Sequence, residues 1–128
     1  MKACRYISFV VFFGIAGCMT DSGESLPDPI PVSAYLIESA QISARTVTLE
    51  VVCSVPEPCW AFARTEQARS GNSYFVTVYA RRTTNDPCLQ VLSSINASFS
   101  TTVEAPGSYT FAFWRYDGTT LDTVLTIR

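Results

Sequence analysis

The sequence predicts an all-β domain of two packed antiparallel sheets. Three observations carry the prediction. From Ala34 onward apolar residues recur with period two. Turn-forming residues cut that pattern every 8–15 positions. No apolar repeat of period 3.6 runs long enough to make a helix. About seven strands in the stretch 34–128 suit two sheets packed face to face.

Tyr35 to Ala40 reads as the first strand. In Thr46 to Cys53, the side chains of Val47, Leu49, Val51 and Cys53 share one face. Pro56 and Pro58 mark a loop, since proline cannot donate to a sheet ladder. Cys59 to Thr65 follows, with Trp60 and Phe62 on one face. Ser70-Gly71-Asn72 turns the chain into Ser73 to Arg82, where Tyr74, Val76, Val78 and Ala80 alternate with Phe75, Thr77 and Tyr79. Asn85-Asp86-Pro87 is a loop. Ile95, Ala97, Phe99, Thr101 and Val103 form one side of the next strand. After the Pro106-Gly107 corner, Tyr109, Phe111 and Phe113 face inward. Asp117-Gly118 predicts a type I′ hairpin, because that turn needs positive φ at both central residues. Leu121, Thr123, Leu125 and Ile127 complete the last strand.

Composition removes several chemistries. The chain has no His, which excludes Ser-His and Cys-His nucleophiles and His-bearing metal sites. Its one Lys, Lys2, lies in the leader described next, so a Schiff-base lysine is excluded from the remainder. Neither glycine-rich phosphate loop is present. Basic residues are few and scattered, with a net charge of −2, so no basic stripe for nucleic acid exists. No catalytic residue, metal site or cofactor is expected.

The N-terminus reads as an export signal. Lys2 and Arg5 precede a short apolar run from Ile7 to Phe13. That run is about half the ~20 residues a membrane-spanning helix needs. Ile15-Ala16-Gly17-Cys18 follows, and here the sequence resembles a bacterial lipoprotein precursor with its lipobox. The resemblance implies cleavage after Gly17 and a lipid on Cys18. Met19 at the next position implies outer-membrane sorting in a Gram-negative cell. The competing reading is an ordinary signal peptide with Cys18 incidental. Without residues 1–17 the chain keeps seven Arg against eleven acids, a side-chain charge of −4. Residues 18–33 are then the lipidated Cys and a Pro-rich tether, and 34–128 the sandwich. Pro27, Pro29 and Pro31 favour an extended spacer, unless Pro29 to Val32 already forms an edge strand.

Two further resemblances concern the domain. Val103-x-x-Pro106-Gly107-x-Tyr109-x-Phe111-x-Phe113 resembles the corner entering the sixth strand of immunoglobulin and fibronectin type III folds. It implies that the Tyr109 hydroxyl bonds back to the corner's backbone. Cys59-Trp60-x-Phe62, Gly71-Asn72, Phe75 to Tyr79, Pro87-Cys88 and Gly107-x-Tyr109-x-Phe111 together resemble a group of small bacterial lipoprotein domains of uncharacterised function. That resemblance covers about 59–128 and implies a Cys59–Cys88 bridge. An oxidising compartment makes one disulfide expected among Cys53, Cys59 and Cys88, and Cys53–Cys59 is the rival pairing.

Trp114 and Tyr116 have the opposite parity to Phe111 and Phe113. With Arg115 between them they form a possible binding surface, the bland alternative being cover for a sheet edge. The reading is therefore a membrane-anchored envelope lipoprotein acting as a non-catalytic binding module. Its partners are the membrane, through Cys18, and an envelope protein. The alternatives are a protease inhibitor using Val55 to Pro58 and Asn85 to Pro87, or a structural envelope component.

Overall fold

The computed structural model describes residues 26–128. The expected signal peptide, Cys18 and most of the tether lie outside the described residues. Seven strands follow: β1 (Ile30–Ser43), β2 (Thr46–Val55), β3 (Trp60–Ser70), β4 (Ser73–Arg82), β5 (Ser93–Thr102), β6 (Gly107–Trp114) and β7 (Thr120–Ile127). The described residues contain no helix.

β2 shows why the pattern makes a strand. Val47, Leu49, Val51, Cys53 and Val55 are all buried, while Thr46, Thr48 and Glu50 face the other way. β2 lies between β1 and β5, and its outer face is pinned by hydroxyl pairs. Thr46 meets Thr102 at 2.9 Å, Thr48 meets Ser100 at 3.2 Å, and Ser98 donates to Glu50 at 2.9 Å. Such cross-strand pairs each add about 0.2–1 kcal/mol.

β5, β2 and β1 form one sheet; β3, β4, β6 and β7 form the other. β1 belongs to both. Ile30–Val32 pairs with Val78–Ala80 of β4, and the rest of β1 pairs with β2. The domain thus begins at Ile30, not Ala34, and the Pro29 to Val32 edge-strand reading replaces the longer tether. Register shifts after Ala34 and Ile37 accompany the change of sheet, as bulges bend a strand that passes between layers.

Five of the six pairings are antiparallel, as expected. The β4–β6 pair is parallel, over Ser73–Val76 and Thr110–Phe113. The reason is connectivity: β5, which separates them in the chain, lies in the opposite sheet. The chain reverses twice between β4 and β6 and returns running the same way.

The two inner faces meet through aromatics. Phe99 of β5 sits edge-on to Phe111 at 6.2 Å and to Phe113 at 6.0 Å, and Tyr74 stacks on Phe111 at 5.1 Å. Phe62, placed by parity beside Trp60, stays 37% exposed, whereas Trp60 packs on the core. A register shift between Phe62 and Arg64 lies next to it in β3.

The corner behaves as its resemblance implies. The Tyr109 ring is buried and its hydroxyl donates to the Ala105 carbonyl at 2.6 Å. Tyr109→Phe should leave the fold intact and cost about 1 kcal/mol, read from the urea midpoint. No change in midpoint would show that water replaces the bond without loss.

The turns differ from expectation. Trp114 pairs with Thr120, so Asp117-Gly118 lies in a five-residue loop, not a type I′ turn. Only Gly118 has positive φ there, +87°; its N–H donates to the Arg115 carbonyl at 3.4 Å. The Asp117 carboxylate is engaged by the Thr119 N–H at 3.0 Å and hydroxyl at 2.6 Å, which favours this wider loop. The two-residue turns are Ala44-Arg45 and Gly71-Asn72. Each has positive φ at its first residue alone, +55° and +60°, the type II′ pattern. Glycine adopts that conformation without steric cost; alanine does not. Ala44→Gly should therefore stabilise the domain by about 0.5–1 kcal/mol, and chemical denaturation checks the sign.

The registers bring the starts of β1, β3, β5 and β7 and the ends of β2, β4 and β6 to one pole. The described chain enters at that pole and leaves at the other.

Candidate functional site

The entry pole carries three loops, residues 56–59, 83–92 and 115–119. With the strand ends that lead into them, they make up every segment singled out for binding: Val55 to Pro58, Asn85 to Pro87, and Trp114 to Tyr116. Loops held at one end of a rigid sandwich are the usual place for recognition, since the sheets fix their bases.

The loop 83–92 is fastened from inside. Cys59 and Cys88 form a disulfide with a Cα–Cα distance of 6.3 Å. Arg82 pairs with Glu57, and both side chains are largely shielded. The same guanidinium donates to the carbonyls of Thr84 at 2.8 Å and Asp86 at 2.7 Å. Gln90 donates to the other Glu57 oxygen at 2.7 Å, and the Trp60 indole donates to Glu57 at 3.4 Å. Arg82 is thus a structural tie. Arg81 beside it is exposed.

The Gln90 amide foremost, with Arg82 and Trp60, holds the Glu57 carboxyl below the usual carboxylate range, against an opposing desolvation. A depressed folded pKa stabilises above the unfolded value and loses that contribution as pH falls through the folded one. Melting temperature should therefore drop below about pH 4. Glu66 and Asp117 shift the same way, so the comparison with Glu57→Gln isolates this site. The variant should show a shallower acid slope; an unchanged slope would remove Glu57 from the account.

Fastened in this way, the loop still presents apolar side chains to solvent. Leu89 is 72%, Val91 55% and Leu92 74% exposed. Tyr116 on the neighbouring loop is 78% exposed. Between these loops opens a cleft of about 220 Å³ lined by Ile30, Val32, Val55, Leu92, Trp114 and Tyr116, with Ser33 and Ser54 among its polar groups. Ser33 accepts from the Tyr116 N–H at 3.4 Å, which ties the 115–119 loop to β1. No carboxylate, thiol or guanidinium lines the cleft. It offers apolar contact area with the hydroxyls of Ser33, Ser54 and Tyr116.

Trp114 is half-buried in that wall, and Tyr116 projects. The Arg115 Nε is buried without a hydrogen-bond partner. Arg128 ends the chain at the opposite pole, away from Arg115. Cys53 faces the core within β2; burial pushes its thiol up to about 12, so it stays protonated. The Cys53–Cys59 alternative is thereby replaced by Cys59–Cys88. Among the described residues no group of three or more Cys, Asp or Glu could hold a metal ion.

Sequence reasoning missed Leu89, Val91 and Leu92. Their signal was an apolar stretch between the Asn85-Asp86-Pro87 turn and the next strand that no strand absorbs.

Residues 49–127 match the ORF11 beta-sandwich domain family. The chain belongs to that family. The match runs from β2 to the end of β7, so it includes all three pole loops and both bridged cysteines. In this member of the ORF11 beta-sandwich family, β1 lies outside the matched segment, yet supplies Ile30 and Val32 to the cleft. No curated protein and no solved structure matches the chain.

Proposed function

We propose that the protein is a lipid-anchored envelope lipoprotein whose β-sandwich is a non-catalytic binding module, with the entry pole as its contact surface. One observation carries the choice of surface. A loop stapled by a disulfide and tied to Glu57 and Arg82 holds Leu89, Val91 and Leu92 in water. Ordering the loop in advance lowers the entropy lost on binding. The immunoglobulin-like corner at Tyr109 supports a scaffold of that type. Anchoring rests on Ile15-Ala16-Gly17-Cys18 after a short apolar run, and Met19 favours the outer membrane.

Intact mass and membrane fractionation of wild type and Cys18→Ala test this reading. Lipid mass on the wild type, with release of the variant from membranes, supports it. If both are soluble and lack lipid, the anchor is refuted.

A protease-inhibitor reading draws on a separate observation: Val55 to Pro58 and Asn85 to Pro87 share one pole and are cross-linked through Cys59 and Cys88. Rigid paired loops suit that task. No inhibition of a protease panel at micromolar protein would eliminate it.

A further inference from the structure

We infer that the entry pole docks on the lipid bilayer itself, with Leu89, Leu92 and Tyr116 seated at the headgroup–acyl boundary. The inference rests on the lipid-anchored reading and names what the proposed contact surface touches.

The course of the chain comes first. The strand that opens the domain starts at Ile30, at the same pole as the exposed loop. Only Met19 to Pro29 separates it from Cys18, a span of at most about 40 Å. A lipid on Cys18 therefore attaches the domain by this pole and keeps it nearer the anchor than the opposite one. Tethering at that range raises the effective concentration of the bilayer around the pole, so a few weak contacts suffice.

The chemistry of the patch comes second. Leu89, Val91 and Leu92 project from a loop in which Arg82 binds the Thr84 and Asp86 carbonyls and Glu57 accepts from the Gln90 amide. Inserting them in lipid strands none of those groups. Tyr116 and Trp114 lie beside Leu92 around the cleft, and amphipathic rings favour the interfacial zone. The exposed Ile30 borders the same cleft as Leu92 and extends the apolar surface to the start of β1. The lipid attracting it is uncharged. The chain after Gly17 carries a side-chain charge of −4, with no Lys, which anionic headgroups repel.

The test uses the lipidated full chain reconstituted in phosphatidylcholine vesicles whose acyl chains carry bromine, a short-range quencher of indole emission. Wild-type tryptophan emission should be quenched relative to unbrominated vesicles. Leu89→Asp/Leu92→Asp should stay vesicle-bound through Cys18 and lose the quenching. Its melting temperature should match wild type, since both side chains are exposed. Unquenched wild-type emission overturns the inference and leaves the anchor intact. If intact mass finds no lipid on Cys18, the anchor fails, and flotation of the soluble chain with the same vesicles decides the inference alone. Flotation of wild type but not of the variant retains it; flotation of neither overturns it. A wild-type dimer that the double substitution dissociates assigns the patch to a second copy and likewise overturns it.

Discussion

Phe111→Ala should destabilise the domain by about 3–5 kcal/mol, among the largest losses expected from a single side chain. Phe111 is fully buried, stacked on Tyr74 at 5.1 Å and edge-on to Phe99 at 6.2 Å. It contacts its own sheet and the facing one at once. Truncation removes the transfer energy of the ring and leaves a cavity between sheets whose backbones are hydrogen-bonded on both sides, so collapse is limited. Small domains are stable by only about 5–15 kcal/mol, so the variant is close to unfolding at ambient temperature. Phe75→Ala is the matched control. Phe75 lies on the outer face of β4 and is 49% exposed, so its loss should stay below about 1 kcal/mol. Urea unfolding of both variants measures the gap. Equal losses would mean that the inner-face aromatics do not join the sheets as described.

Removing the disulfide is expected to cost about 3–4 kcal/mol in the chain-entropy account. Cys59 and Cys88 are 29 residues apart, so the bridge closes a long loop in the unfolded chain. The loss should be uneven in space. β3 and β4 remain paired from Trp60↔Arg82 to Ser70↔Ser73, while the loop 83–92 is left to its hydrogen bonds, among them those of Thr83 to the Cys59 carbonyl and those to Glu57 and Arg82. Hydrogen exchange in Cys59→Ser/Cys88→Ser should accelerate most in that loop, ahead of β2 and β4. Reductant offers an independent check. Cys53 is already a free, buried thiol, so among the described residues dithiothreitol changes only the one bridge. Reduced wild type and the double variant should melt together. A gap of several degrees between them would implicate the serine side chains instead.

Both predictions concern features of different legibility. The inward parity of Phe111 was readable from Tyr109-x-Phe111-x-Phe113, because side chains alternate faces whatever the strand pairs with. The Cys59–Cys88 bridge was not derivable from spacing: three cysteines permit three pairings, and a family resemblance made the choice. The bond to Ala105 likewise came from resemblance, while the buried state of Tyr109 followed from parity. Asp117-Gly118 correctly marked a reversal and misled about its size, since the Thr119 contacts to Asp117 widen the loop. The proposed contact surface was half legible. Trp114 and Tyr116 stood out by parity; Leu89, Val91 and Leu92 did not, since apolar residues in a loop give no period to read.

By itself the sequence determined the all-β class, the position of most strands and the inward set on each, from Val47 to Cys53 and from Tyr109 to Phe113. Alternation is a local property of an extended backbone, so no knowledge of the partner strand is required. Only the tertiary structure decided that β1 changes sheets, that β4 and β6 run parallel, and that three loops meet around one cleft. Those outcomes depend on which edges close on which, and edge pairing is set by contacts between residues far apart in the chain. The same dependence shapes the loop that carries the exposed leucines: Glu57 and Arg82, some thirty residues earlier and at the end of the preceding strand, bind its Gln90 amide and its Thr84 and Asp86 carbonyls, while Leu89 and Leu92 face out.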